Sequence, residues 1–154
     1  MAIWRDFAHN SPELAAIGAE QFPRHLMAWL ATNRPGGFPR VHPVTALIAD
    51  NGKLYVFMEP TSPKGHDLKR DGRYALHSHV PDILGDWYGA LLVTGLAKLV
   101  ENPEDRAAAT RAVTDAQFPP PPDRYILFEL GVSEAVGTPG GDEPRWSRWK
   151  PEPG

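Results

Sequence analysis

The chain has 154 residues, a net charge of −3 and 42% apolar residues, which fits one globular domain with a single core. This charge argues against a general nucleic-acid-binding surface, and no apolar run is long enough to span a membrane. The lack of cysteine excludes disulfides and thiolate metal sites, and the N-terminal MAIWRDFAHN has no apolar signal core. We therefore expect a cytoplasmic protein.

The first half of the chain predicts one helix followed by three strands. The helix begins at Ser11-Pro12 and ends near Glu20. The strands are expected at His25–Thr32, Arg40–Ala49 and Lys53–Met58. The third strand is an unbroken apolar run, which is typical of a strand buried on both faces. Asp50-Asn51-Gly52 predicts a tight hairpin between the second and third strands.

The second half predicts two more helices and three more strands. The helices are expected from Pro63 to Asp71 and from Asn102 to Thr114. The strands are expected at Arg73–His79, Trp87–Glu101 and Tyr125–Val136, with a loop at Val80–Asp86 and a connector at Pro119–Pro122. Gly89 and Gly95 predict bends in the long strand. Six strands, mostly in hairpin order, predict a mainly β fold: an antiparallel barrel with peripheral helices, forming one domain over residues 1–154.

The third helix start differs from the other two in its charge. Ser11-Pro12-Glu13 and Asn102-Pro103-Glu104 place an acid in the first turn, where the helix dipole favours one. Ser62-Pro63-Lys64 places a lysine there instead. A serine hydroxyl, free backbone N–H groups and a lysine together are typical of a phosphate site. The alternative is that Lys64 is a solvated surface lysine, since one such mismatch costs only about 0.3–1 kcal/mol.

Three segments in this order resemble the pyridoxamine 5'-phosphate oxidase-like family. They are PRVHPV, LYVFMEPTSPKGHDLKRDGRYALH and GALLVTGLAKLVE, and the resemblance extends from about Leu26 to Val136. It implies an FMN-binding split β-barrel, generally homodimeric with the cofactor near the subunit interface. It also implies an oxidoreductase that acts on a small molecule which the sequence does not identify.

The resemblance also implies a set of cofactor-binding positions. Arg40, which shares its strand face with His42, would contact the flavin phosphate or ring. Phe57 and Met58, at the end of the third strand, would lie against the flavin. Ser62, Pro63 and Lys64 would contact its phosphate. In the tail Arg145–Trp149, Trp146 and Arg148 would approach the flavin from the partner subunit, or the tail would simply be pinned to the barrel.

The chain departs from the family pattern in two places. A glutamine expected near the start of the long strand is replaced by Gly89 or Ala90, and the longer substrate-binding C-terminal segment is missing. Both departures argue against vitamin B6 oxidation. Two alternatives stay open: a deazaflavin-dependent reductase on the same fold, or a flavin- or haem-binding protein without turnover.

The remaining candidate residues are weaker. His77 and His79 share a strand face, which is the only feature that favours haem or metal, and we predict no metal site there. Asp67 and His66 are expected on a solvated helix face, and Trp29 in the core. No general acid or base is evident, so the catalytic residues are unknown. The Val80–Asp86 loop and the tail are the expected substrate side.

Overall fold

The computed structural model describes residues 1–81 and 89–153, and these contain nine strands and four helices. The helices are α1 (Trp4–Asn10), α2 (Pro12–His25), α3 (Pro63–Arg70) and α4 (Pro103–Asp115). The strands are β1 (Ala28–Asn33), β2 (Pro39–Val44), β3 (Leu47–Ile48), β4 (Leu54–Met58), β5 (Arg73–Ser78), β6 (Ala90–Val100), β7 (Ile126–Leu130), β8 (Glu134–Thr138) and β9 (Ser147–Trp149). Among these helices, none is long and apolar enough to cross a membrane.

The strands form one antiparallel sheet that curls on itself. Its main path runs β2-β1-β5-β6-β7-β4-β3, and β8 joins β6 and carries β9 on its outer edge. Along one edge, β6 pairs first with β8 through Ala90–Thr94 and then with β7 through Ala97–Val100. This change of partner folds the sheet into a half-barrel. The prediction of a mainly β, antiparallel barrel with peripheral helices is confirmed.

The prediction of six strands is wrong, because two of them change partners along their length. The segment Arg40–Ala49 divides into β2, which pairs with β1, and β3, which pairs with β4. The segment Tyr125–Val136 divides at a corner over residues 131–133, where Val132 pairs with Ala2 instead. The tail supplies the ninth strand by pairing with β8.

The two glycines predicted to bend the long strand lie where the backbone is crowded. A Cβ atom on Gly95 would lie 1.8 Å from the carbonyl oxygen of Gly131, at the corner between β7 and β8. Gly89 has φ +103° and its Cβ would lie 2.3 Å from the carbonyl oxygen of Thr138. Only glycine fits such an approach without moving the backbone.

The N-terminal helices differ from the prediction in extent. Helix α1 was not predicted, although Trp4 and Phe7 share a face and are both buried. Helix α2 begins at Pro12 as predicted but continues past Glu20 to His25, so that β1 begins later, at Ala28. Leu26 ends the helix in the left-handed conformation, with φ +49°.

Strand β4 is buried on both faces, as its apolar run predicts. Leu54, Val56 and Met58 belong to the barrel core, while Tyr55 belongs to a second cluster under α4. The barrel core also holds Leu30, Leu76, Leu91 and Phe128, and the second cluster holds Ala108, Ala109 and Leu127. Because β4 is fixed from both sides, its C-terminal end and the start of α3 are held in a defined position.

Candidate functional site

The start of α3 is built by Ser62, as the sequence predicts. Its hydroxyl accepts a hydrogen bond from the Gly65 N–H at 3.2 Å and donates one to the Glu59 carbonyl at 2.8 Å. Pro63 occupies the first helical position, where no N–H is needed. The hydroxyl proton is therefore engaged by the protein itself, and Ser62 serves to fix the turn that carries Lys64.

Replacing Ser62 with alanine is expected to lower the free energy of unfolding by about 0.5–2 kcal/mol, because the Gly65 N–H loses its acceptor. Ser11 is the matched control, since it opens α2 with the same Ser-Pro pair but makes no side-chain capping bond. Ser11→Ala should change stability by only a few tenths of that amount. Urea unfolding followed by tryptophan fluorescence measures both variants, and equal losses would contradict the capping role of Ser62.

Lys64 lies half-buried beside a groove of about 440 Å³ at the end of β4. The groove is also lined by Leu26, Met27, Pro43, Val44, Thr45, Phe57, Met58, Glu59, Ser62 and Tyr125. Burial lowers the pKa of Lys64 below its usual range. Within the described residues its amine forms no ion pair, and Glu59, the one carboxylate of this lining, is paired with Arg124 at 3.1 Å. The groove therefore presents a half-buried cation with no anion of its own.

Asp67 is the centre of a second charged cluster on α3, and only 1% of it is exposed. It accepts hydrogen bonds from Arg40 Nε at 2.8 Å, Thr32 Oγ1 at 2.8 Å and Arg70 Nη2 at 3.3 Å. Burial alone would raise the pKa of Asp67, but these three donors outweigh it and hold the pKa below its usual range. Two arginines share one carboxylate, so the cluster keeps one net positive charge.

His66 and Asp67 were both predicted to lie on a solvated face of α3, and this prediction holds for only one of them. His66 is exposed, as predicted, whereas Asp67 is buried against β1 and β2. The prediction for Asp67 is wrong because a tertiary contact, supplied by Arg40 and Thr32, makes its burial favourable. Asp67 also fixes the guanidinium of Arg40 by its Nε, which sets the direction of the rest of that side chain.

The structure brings together some of the cofactor-binding candidates. Phe57, Met58, Ser62 and Lys64 line the same groove. Pro63 is exposed beside them, and Arg40 is joined to the same helix through Asp67. His42 is half-buried on β2, two residues from Arg40, and is not among the groove's lining residues. Four of the candidates therefore line one groove, whereas Arg40 and His42 are not among its lining residues.

The tail candidates lie elsewhere in the same chain. Trp146 is 59% exposed and lines a different groove with Glu13 and Glu143, which shares no lining residue with the groove of Lys64. Arg148 pairs with Glu134 at 2.9 Å across β8 and β9. Trp149 packs on Phe7 with ring centroids 5.0 Å apart and so pins the tail to the barrel. A contribution of Trp146 and Arg148 to the flavin site of a partner subunit stays a prediction.

Sequence reasoning missed Leu26, Thr45 and Tyr125 as groove residues. Leu26 carries φ +49°, a conformation that leucine rarely adopts and that no local pattern indicates. Tyr125 and Thr45 come from segments far apart in sequence that meet only after the sheet has curled. The expected substrate loop, Val80–Asp86, lies mostly outside the described residues.

His77 lies on β5 and His79 just after its end, and within the described part of the chain neither belongs to a metal-binding cluster. No group of three histidine, aspartate or glutamate side chains suited to a metal occurs in residues 1–81 and 89–153. His77 Nδ1 lies 2.6 Å from the Ser78 carbonyl oxygen.

Trp29, whose ring centroid is 6.4 Å from that of His79, is 39% exposed, so the prediction that Trp29 belongs to the core is wrong. Its strand position faces outwards because Ala28 and Leu30 take the inner face.

Comparison with known proteins finds one matching family. The sequence model described as pyridoxamine 5'-phosphate oxidase matches residues 18–135. No curated protein matches the chain at a significant level.

Solved structures show the same fold at low sequence identity. A haem-binding protein from Mycobacterium smegmatis is 20% identical with a TM-score of 0.62, and the match covers 82% of this chain and 56% of that one. A conserved hypothetical protein from Mycobacterium tuberculosis is 19% identical with a TM-score of 0.64, covering 88% and 83%. PhzG from Burkholderia lata 383, solved with tetrahydrophenazine-1-carboxylic acid, is 14% identical with a TM-score of 0.54, covering 95% and 91%. The chain thus spans little more than half of the Mycobacterium smegmatis protein.

Proposed function

This chain belongs to the pyridoxamine 5'-phosphate oxidase family, and on that basis we propose that it is an FMN-binding oxidoreductase that acts on a small molecule. The observation that carries the proposal is Lys64, a half-buried amine at the start of a helix, beside a groove whose only described carboxylate is already paired. The flavin phosphate would bind against this amine, and the flavin ring would lie along the groove.

The donors at the start of α3 suit a phosphate. Pro63 has no N–H and the Gly65 N–H is taken by Ser62, so the Lys64 N–H is the first-turn donor left for an outside acceptor. The Lys64 amine adds a full positive charge beside this N–H. A bound phosphate would supply the anion that this half-buried amine lacks. Lys64 would therefore bind the anion through both its backbone N–H and its side-chain amine.

The charge cluster around Asp67 is centred on the same helix as Lys64. Asp67 holds Arg40 by Nε, which leaves the two Nη groups of Arg40 for an outside acceptor. Arg40 would then add a second cationic contact to phosphate or ring, as the family resemblance implies. Asp67 acts here as a positioning residue, and it neutralises only one of its two arginines.

The walls of the groove suit a flat ring. Phe57 and Met58 at the end of β4 line it together with Val44 and Leu26. FMN, when bound, supplies hydride or single-electron transfer. The chain supplies binding, orientation and positive charge. Because Arg124 holds Glu59, the described lining offers no free carboxyl group to move a proton. Substrate positioning would therefore contribute most to the rate.

The proposal includes a homodimer. The exposed Trp146 and Arg148 would meet the flavin bound by the other subunit, which is the arrangement that the family resemblance implies. Further exposed apolar side chains lie on β1, β2 and the turn between them, namely Trp29, Phe38 and Val41. An apolar surface of this kind is typical of a protein interface. Light scattering during gel filtration measures the mass of the assembly and so distinguishes a dimer from a monomer.

Mixing the purified full chain with FMN should give a protein that retains the flavin through gel filtration, with the two visible absorption bands of flavin. A deazaflavin, tested in the same way, separates the reductase alternative on the same fold. Protein that elutes without FMN under conditions where it is folded, as judged by its near-ultraviolet circular dichroism, would contradict the proposal.

A second candidate, a haem-holding protein without turnover, is favoured by His77. Its Nδ1 bond to the Ser78 carbonyl fixes the ring tautomer and leaves Nε2 for a ligand. One solved structure of this fold is named as a haem-binding protein. A Soret band on adding haem that is lost in His77→Ala would support this candidate. A Soret band that His77→Ala leaves unchanged would count against His77 as the ligand.

A further inference from the structure

A second groove, of about 220 Å³, adjoins the groove of Lys64 and shares Leu26, Thr45, Phe57 and Tyr125 with it. We call it the apolar groove. Its other lining residues are Leu47, Val113, Ala116, Phe118, Pro119 and Pro121. They come from β3, from the end of α4 and from the proline-rich connector. A molecule in the apolar groove would therefore touch the same Phe57 and Tyr125 that border the proposed flavin site.

None of these lining residues is charged, and two arginines beside the groove are engaged elsewhere. Arg106 donates to three carbonyl oxygens, those of Tyr125 at 2.6 Å, Pro122 at 3.1 Å and Asp123 at 3.2 Å. Its guanidinium also lies 5.2 Å from the centre of the Phe57 ring. Arg124 is paired with Glu59. An anionic group in the apolar groove would find no free cation in the described lining, because the unpaired Lys64 amine belongs to the neighbouring groove, and burying the anion unpaired is costly.

The wall of the apolar groove carries strained backbone. Among the described residues, only two other than glycine have positive φ, namely Leu26 at +49° and Gln117 at +66°. Leu26 lines the apolar groove, and Gln117 lies between its lining residues Ala116 and Phe118. Such conformations are energetically costly and are concentrated at ligand sites. Two backbone hydrogen bonds stabilise the turn at Gln117. The Gln117 N–H donates to the Thr114 carbonyl, and the Phe118 N–H donates to the Val113 carbonyl.

We propose that the apolar groove is the substrate subsite and that it takes an uncharged, flat molecule of one or two rings. The size follows from its volume, which is below the range of about 300–1,000 Å³ typical of sites for drug-sized ligands. The lack of charge follows from the lining. A phosphate group is therefore excluded from the apolar groove itself. The word substrate rests on the proposed function, but the class of ligand rests on the groove alone.

The test compares two ligands with the same ring, 1-naphthol and 1-naphthyl phosphate. Calorimetric titration of the full chain saturated with FMN, so that the groove of Lys64 is occupied, should show 1-naphthol binding at least about ten-fold more tightly than its phosphate, as unpaired burial of the anion requires. Equal or tighter binding of 1-naphthyl phosphate would overturn the proposal. Displacement of 1-naphthol by FMN would also overturn it, since the two grooves would then hold one ligand.

The variant Ala116→Arg places a cation in the lining of the apolar groove and should reverse the preference between the two ligands. The control is Ala107→Arg, which adds the same charge on an exposed position of α4, the helix that ends just before Ala116, and should leave the preference unchanged. A folded Ala116→Arg protein with the wild-type preference would overturn the proposal. If 1-naphthol does not bind and Ala116→Arg turns a dimer into a monomer, a second copy covers the groove and the proposal fails.

The outcomes separate the two proposals. Binding of 1-naphthol without binding of FMN would refute the proposed flavin function and leave the ligand class of the apolar groove standing. Binding of FMN without binding of 1-naphthol would refute only the inference about the apolar groove.

Discussion

Replacing Asp105 with alanine is expected to lower the free energy of unfolding by about 3–5 kcal/mol, the cost of breaking a buried charged network. Asp105 is 6% exposed and lies in the first turn of α4. It accepts hydrogen bonds from the Tyr55 hydroxyl, from Lys53 Nζ at 3.1 Å and from Asn102 Nδ2 at 2.9 Å. Without it, the hydroxyl proton of the fully buried Tyr55 loses its acceptor, and α4 loses its bond to β4.

The control for this prediction is Asp50→Ala, which removes an exposed carboxylate. Asp50 forms a bidentate ion pair with Arg111, a residue of α4, at 2.8 and 3.0 Å. Exposed pairs are worth only about 0–1 kcal/mol because water and salt screen them. Guanidinium unfolding of both variants gives the comparison. A loss for Asp105→Ala no larger than that for Asp50→Ala would mean that the network does not hold α4 to the barrel.

The Asp105 network also predicts a dependence of stability on pH. Burial would raise the pKa of Asp105, but hydrogen bonds from Tyr55 and Lys53 outweigh it and lower the pKa. The stabilisation is therefore present above the unfolded value of about 3.9 and is lost as pH falls through the lower folded value. Burial, and then the bond to Asp105, raises the pKa of Tyr55 to about 12. Its stabilisation is present below the unfolded value of about 10 and is lost between about pH 10 and 12.

Local patterns predicted the elements whose structure is decided locally. The Asn51-Gly52 hairpin forms as predicted, with Gly52 at φ +82°. The Ser62-Pro63 helix start forms as predicted, and so does the doubly buried strand β4. In each case the residues that decide the structure lie within a few positions of one another.

The number of strands was predicted wrongly for a physical reason that also limits the prediction of site residues. Apolar residues continue on both sides of the corners after Val44 and at Gly131, because both halves of each segment remain part of the sheet. Only the change of partner divides them, and partners are set by tertiary pairing. The same holds for Asp67, whose burial depends on Arg40 and Thr32, 27 and 35 positions away. The mismatch of Lys64 with the helix dipole is local, so the sequence could single out this residue, which lines the groove, while the phosphate site there stays a prediction.

Replacing Lys64 with alanine is expected to weaken FMN binding by about 1.5–3 kcal/mol, the worth of one charge-assisted hydrogen bond, or roughly 10- to 150-fold in Kd. The control is Lys69→Ala, which removes the same charge from an exposed position of the same helix. Lys69→Ala should change Kd by less than about two-fold, since long-range screening leaves little of its effect. Flavin fluorescence during titration measures both.

The most direct test of the proposed site is the preference for FMN over riboflavin, which differ by the phosphate alone. Wild-type protein should bind FMN more tightly, and Lys64→Ala should lose most of that preference while its affinity for riboflavin stays the same. If Lys64→Ala keeps the full preference for FMN, the phosphate lies elsewhere and Lys64 is an ordinary helix lysine.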